Sequence, residues 1–277
     1  MKTYSYTFSP TGTSAMIAQA VGQGIRETTG EEVLHQDLTH QEAPESRFDD
    51  SNLVIIAAPV YGGKMAPIAK IRMKEIRGNH TPCILIAVYG NRAFENALVD
   101  MAEFAMSRGF VPVAAGAFIG EHSYSTPETP IAVGRPDKTD IKDAVAFGNA
   151  IGNAARVNGL KPVEVSELHD QPVPQKSVAN FSTFVKEYMA SQQSNPTTLL
   201  PELNSSLCTS CASCLKACPT DAIGQDIASI DSSRCIRCCA CVKVCPTGAR
   251  TFSSPFAPVL SRNFSLRKSP AVIIGRD

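Results

Sequence analysis

Nine of the ten cysteines in this 277-residue chain fall between Cys208 and Cys245. They lie in two runs, "CTSCASCLKACPTDAI" from Cys208 and "CIRCCACVKVCPTGAR" from Cys235. Both runs read C-x2-C-x2-C-x3-C-P, so the segment is an internal repeat. Thiolates at this spacing suit iron–sulfur clusters. Three cysteines in one tight loop can face three irons of a cube, and the fourth, on a short helical turn, points away before proline ends the turn. A zinc ion on four thiolates is the competing reading. Such sites usually pair two short C-x2–4-C hooks and need no trailing Cys-Pro. A disulfide framework fits clustered, evenly spaced thiols poorly.

On these motifs, residues 200–250 resemble bacterial-type ferredoxin modules with two 4Fe–4S clusters. The resemblance implies that Cys208, Cys211, Cys214 and Cys245 hold one cluster, and that Cys235, Cys238, Cys241 and Cys218 hold the other. Cys239 breaks the repeat, because its counterpart is Ala212. It is expected to be a buried spare thiol; the sharper alternative is a hydrogen bond to a cluster sulfur. Cys83, at the start of "CILIAVY", reads as core packing.

A second stretch with chemical potential is "TFSPTGTSAM", from Thr7 to Met16. It carries Ser9, Thr11, Thr13 and Ser14, one glycine, and no lysine or arginine. The preceding "TYSYTF" alternates like a strand and the following "SAMIAQAVGQGI" has helical spacing. The turn therefore sits at a helix N-terminus, where backbone N–H groups and the helix dipole favour an anion. Without a lysine it is no triphosphate loop. Hydroxyls and N–H groups suit one phosphate; the plainer alternative is a helix cap.

The elements that position this turn alternate. Strands are expected at the first segment, Glu32–Leu38 (an edge), Asn52–Val60, Cys83–Tyr89 and Phe110–Ile119. Helices are expected at about 13–28, 65–77, 93–108 and 139–157. The continuous apolar runs suit parallel strands buried on both faces. The expectation is an α/β fold, a doubly wound five-stranded parallel sheet of order 2-1-3-4-5, which binds ligands beyond the C-terminal ends of strands 1 and 3. The loops there are "SPTGTS", "PVYGGKMAP" and "YGNRAFENA". A Gly-x-Gly at Gly22 lies inside the first helix and lacks a third glycine, so no dinucleotide fingerprint is read from it.

On those three loops, residues 1–158 resemble flavodoxins. The resemblance implies an FMN phosphate held by Ser9, Thr11, Gly12, Thr13 and Ser14, and a flavin ring lined by Pro59, Tyr61, Gly62, Tyr89, Gly90, Asn91 and Phe94. The chain as a whole resembles flavodoxin–ferredoxin fusion proteins, the ferrodoxin-type flavoproteins of anaerobic bacteria. Its domains are then a flavodoxin-like FMN-binding domain (1–158), a linker with one helix (159–199), a C-terminal α+β two-cluster ferredoxin-type domain (200–250) and a tail (251–277). The segment Gly120–Asp140 is long for a simple connection. In it His122, Arg135 and Asp137 are candidate substrate or partner contacts, or else include a structural Arg–Asp pair.

Charge and hydropathy exclude other classes. The formal net charge is zero and no charge run stands out, so nucleic acid is a poor partner. No apolar run reaches a membrane span, and no signal-peptide core opens the chain, so a cytoplasmic protein is expected. The resemblance implies an electron-transfer flavoprotein with FMN and two 4Fe–4S clusters, working with redox protein partners. The alternative is an FMN-dependent reductase of a small substrate, fed by its own ferredoxin domain. Oligomeric state is left open, a homodimer included.

Overall fold

The computed structural model describes residues 1–157 and 159–275. They divide into two compact units. The first comprises Met1–Glu121, Gly134–Gln171 and the chain from Arg267; the second comprises His122–Val133 and Pro172–Leu266.

In chain order the first unit holds β1 (Lys2–Thr7), α1 (Thr13–Thr29), β2 (Val33–Asp37), β3 (Ser46–Phe48), β4 (Asn52–Tyr61), β5 (Lys64–Met65), α2 (Pro67–Arg72), β6 (Ile76–Gly78), β7 (Thr81–Tyr89), α3 (Ala97–Met106), β8 (Phe110–Ile119) and α4 (Lys138–Val157). Strands β2-β1-β4-β7-β8 pair in that order and all in parallel. This is the 2-1-3-4-5 order of the flavodoxin-like fold. The apolar runs explain the centre of the sheet. Leu53–Ala58 and Cys83–Ala87 are fully buried, as strands covered on both faces must be. Cys83 lies in that core, where burial pushes its thiol pKa up.

The glycines of "GQGIRE" serve packing. A Cβ on Gly24 would collide with the Val145 carbonyl of α4, and one on Gly148 with the Val21 carbonyl of α1. Bare backbone lets α1 and α4 cross closely over one face of the sheet.

Two helices are shorter than their apolar spacing predicts. The 65–77 helix is reduced to α2, because Lys64 and Met65 fold back on Tyr61 and Val60 and Ile76–Gly78 pairs with β3. The 93–108 helix begins only at Ala97, because the Asp170 carboxylate takes the N–H groups of Phe94 and Glu95, each at 2.9 Å. The chain end adds a strand that no local pattern announced: β11 (Ala271–Ile274) runs antiparallel along β8.

The second unit is built from α5 (Gln175–Ser194), β9 (Glu202–Leu203), α6 (Ser213–Lys216), α7 (Ala240–Lys243), β10 (Arg250–Thr251) and α8 (Phe256–Asn263). The helix expected around "SVANFSTFVKEYMAS" is α5. Phe184 and Tyr188 of α5 meet Phe256 of α8 with ring centroids 5.2 and 5.0 Å apart. A separate small core gathers Cys214, Cys218, Ala222, Ile223 and Cys241. Among the described residues no helix is long and apolar enough to cross a membrane.

Candidate functional site

The cysteine repeat is written into the backbone of the second unit. Ser210 and Arg237 occupy the same place in the two runs, and both have φ of 55°. Ala212 and Cys239 both have φ of 58°, and each is the residue before a four-residue helix, α6 or α7. Asp221 and Gly248, after the two Cys-Pro pairs, also have positive φ. Left-handed residues at matched places turn each loop sharply enough to bring three cysteines to one side.

The thiols line two separate recesses. One is lined by Cys208, Cys211, Cys214 and Cys245. The other is lined by Cys218, Cys235, Cys238 and Cys241, together with Cys239. Each recess thus takes three cysteines from one run and the fourth from the other run. Among the described residues no three His, Cys, Asp or Glu side chains converge to hold a single metal ion; the thiols stand around spaces. Soft sulfur donors in fours around such a space fit a four-iron cluster.

The recesses differ electrostatically. In the first, Cys211 is exposed and a hydrogen bond with Ser213 lowers its pKa. Burial alone would raise Cys245, but hydrogen bonds from the Arg250 backbone and around Thr247 outweigh it and leave the thiol lowered. In the second recess burial dominates, pushing Cys238 up to about 11 and Cys241 up to about 12. Cys239 is 1% exposed, faces the Arg237 carbonyl at 3.6 Å, and is raised by burial. Nearby, Tyr124 packs on Phe252 with centroids 5.1 Å apart and is pushed up to about 12 by burial. His122, singled out with Arg135 and Asp137, packs its ring tilted against Tyr124 with centroids 4.8 Å apart and accepts the Tyr124 N–H on Nδ1.

The hydroxyl-rich turn sits at the C-terminal edge of the parallel sheet, between β1 and α1. Gly12 precedes the helix with φ of 85° and has nothing within 4 Å of an added Cβ. No acidic residue lies in the first turn of α1. The Ser9 hydroxyl is used within the turn and accepts the Ala15 N–H at 3.0 Å. Thr11, Gly12 and Thr13 remain partly exposed. Ser14 turns inward: its Oγ is buried without a hydrogen-bond partner, so toward solvent it can offer only backbone. Gly120, at the end of β8, faces Thr13; a Cβ there would lie 3.1 Å from Thr13 Cβ. This open helix N-terminus, with neutral donors and no carboxylate, fits a phosphate.

The two neighbouring loops share that edge. Tyr61 and Lys64 pair across Gly62 and Gly63, with φ of 58° and 77°, in the two-residue hairpin that demands glycine. Pro59 and Tyr61 are half-buried and Gly62 exposed. In the next loop Gly90 is half-buried, whereas Tyr89, Asn91 and Phe94 are buried. Tyr89 and Phe94 pack edge to face at 5.6 Å. Burial, then the Asp170 carboxylate, holds the Tyr89 phenol above its ordinary range.

Sequence reasoning missed the groups that brace this loop. Asp170 caps Phe94 and Glu95, and buried Lys268 donates to the Arg92 carbonyl at 2.6 Å. The structural Arg–Asp pair expected here is present, but with different partners. Arg135 pairs with buried Asp140, and Asp137 pairs with Arg267 at 2.6 Å. Asp140 looked like an ordinary first-turn residue of α4, which concealed it.

The first unit thus defines a flavodoxin-like α/β domain, and the second a ferredoxin-type domain. Residues 200–249 match the family described as "4Fe-4S dicluster domain". Among solved structures, an archaeal flavodoxin is 16% identical with a TM-score of 0.40, covering 56% of this chain and 99% of its own. A Streptococcus pneumonia TIGR4 flavodoxin is 16% identical with a TM-score of 0.38, over 57% of this chain and 100% of its own. The flavodiiron protein from Giardia intestinalis is also 16% identical, with a TM-score of 0.34, covering 56% of this chain but 36% of its own length. No curated protein matches the chain significantly in sequence.

Proposed function

We propose that the protein is an electron-transfer flavoprotein that joins two 4Fe–4S clusters to one FMN. The observation that carries this reading is the sorting of eight cysteines into two recesses, each completed by a cysteine from the other run. Clusters of this type exchange single electrons at low potential, and a flavin accepts one or two. Cys208, Cys211, Cys214 and Cys245 hold one cluster, and Cys218, Cys235, Cys238 and Cys241 the second. Thr11, Gly12 and Thr13 supply neutral donors to the FMN phosphate at the start of α1, with Ser9 holding the turn's shape. Pro59, Tyr61, Gly62 and Gly90 border the ring site. Redox proteins are the partners, and electrons pass from clusters to flavin, because no dinucleotide fingerprint supplies a direct route from a nicotinamide. A cytoplasmic setting belongs to the same reading.

Anaerobically purified protein is expected to contain one FMN and about eight irons with eight labile sulfides. A count of about four irons, or stoichiometric zinc, overturns the cluster assignment. Stopped-flow absorbance then tests the direction. A reduced low-potential ferredoxin should bleach the flavin quickly and NADH should not, and rapid bleaching by NADH alone refutes the scheme. Thr13→Val keeps the side-chain shape and removes one donor. A hydrogen bond to a charged group contributes about 1.5–3 kcal/mol, so FMN affinity should fall about ten- to a hundredfold. Riboflavin, lacking the phosphate, should bind wild type and variant alike; an equal loss for riboflavin would mean that Thr13 supports the fold.

A further inference from the structure

The two halves of the cysteine repeat differ at one buried position. After each Cys-Pro pair the runs continue "TDAI" and "TGAR", so Ile223 and Arg250 are counterparts. Both are buried, at 5% and 1% exposure. Ile223 belongs to the small apolar core of the unit. Arg250 is a full positive charge in the matching place, and among the described residues no carboxylate pairs with it. Its Nη2 reaches the Ile227 carbonyl and lies 3.8 Å from Cys214 Sγ. Its Nε and Nη1 are buried without a hydrogen-bond partner. The residue lines the recess formed by Cys208, Cys211, Cys214 and Cys245.

A buried guanidinium with unspent N–H groups is costly unless an anion compensates it. In this unit the candidate anion is the contents of the recess. Four thiolates around a cubane core leave net negative charge, and one added electron increases it. A fixed positive charge beside the recess favours the reduced state.

We infer that Arg250 sets the reduction potential of the cluster held by Cys208, Cys211, Cys214 and Cys245, raising it above that of its partner cluster through charge and N–H donation. The inference rests on the proposed reading of the cysteines as ligands. The second cluster has Ile223 in the equivalent place; Arg250 also acts electrostatically on Cys241 of that set, but without lining its recess. Arg250 thereby makes a near-symmetric repeat electrically asymmetric and gives an electron a preferred resting place in the unit. The reduction adds one electron from the titrant, and no bond is made or broken.

The test uses the intact protein, reduced stepwise under anaerobic conditions and followed by electron paramagnetic resonance. Iron and sulfide are counted first; a count of about eight each supports the ligand reading independently of Arg250. The variants are Arg250→Gln, which keeps donors but not charge; Arg250→Lys, which keeps charge; and Arg250→Ile, which copies Ile223. Arg250→Gln and Arg250→Ile should make one of the two clusters at least tenfold harder to reduce, a downward shift of about 59 mV for one electron. Arg250→Lys should stay near wild type, and the other cluster should move less in every variant. Loss of one cluster from the Gln and Ile variants, with retention in the Lys variant, would equally assign the charge to the cluster. Unchanged potentials in Arg250→Gln and Arg250→Ile would overturn the inference. So would loss of iron from Arg250→Lys as well, since Arg250 would then be a packing element.

Discussion

The two halves of the cysteine repeat share their backbone turns but not their surroundings. The recess closed by Cys245 has an exposed cysteine, thiols lowered by hydrogen bonds, and a buried arginine in its wall. The recess closed by Cys218 is more deeply buried, its thiols are raised by burial, and an extra cysteine lies beside them. Duplication preserves what the geometry of four thiols requires: matched left-handed residues and a Cys-Pro stop. Positions outside that requirement are free to diverge. Arg250 against Ile223 and Cys239 against Ala212 are where divergence reaches the recess walls.

The largest expected effect tests whether the two recesses are separate sites. Cys211→Ser and Cys238→Ser should each remove about half the iron and leave the other half bound. Loss of nearly all iron from either variant would mean that the recesses fill only as one. Backbone strain gives a smaller effect. Ala212 and Cys239 both sit at φ of 58°, where a non-glycine residue bears a penalty of about 1–2 kcal/mol. Ala212→Gly should therefore stabilise the cluster-loaded protein by about 1 kcal/mol in thermal unfolding, less what glycine gains in the unfolded chain. Cys239→Gly should gain less, because it also empties a buried site. Equal gains would show that Cys239 contributes no packing. The smallest effect is expected from Cys239→Ser, which should keep the full iron count. Loss of iron there would make Cys239 a ligand and overturn the assignment of the second set.

In the first unit the turn before α1 carries no full positive charge of its own. The turn before α1 offers backbone N–H groups, Thr11 and Thr13. A phosphate at a solvent-facing helix N-terminus keeps part of its hydration, so neutral donors suffice. Arg250 by contrast is 1% exposed beside Cys214, and a charge so far out of solvent has a larger effect on its neighbours.

What the sequence determined by itself was local and periodic. Continuous apolar runs marked β4, β7 and β8, and alternation with helical spacing was enough for the 2-1-3-4-5 order of the parallel strands. The cysteine spacing marked the repeat, because a loop of three thiols followed by a helical turn admits little freedom, and each recess gathers three cysteines of one run with one of the other. Arg250 was also legible, had the two runs been compared past their prolines to the residue opposite Ile223.

Tertiary structure decided the rest, for a common reason: the partners are distant in sequence and carry no local periodicity. β11 is a short strand whose identity depends on the free edge of β8. The start of α3 depends on the Asp170 carboxylate, and Lys268 braces the preceding loop from the end of the chain. Ser14, one hydroxyl among four in its turn, faces inward because the first turn of a helix sends successive side chains in different directions, which spacing alone did not resolve. Arg135 chose Asp140 over Asp137 because Asp140 is buried with it, and burial is a property of the folded chain.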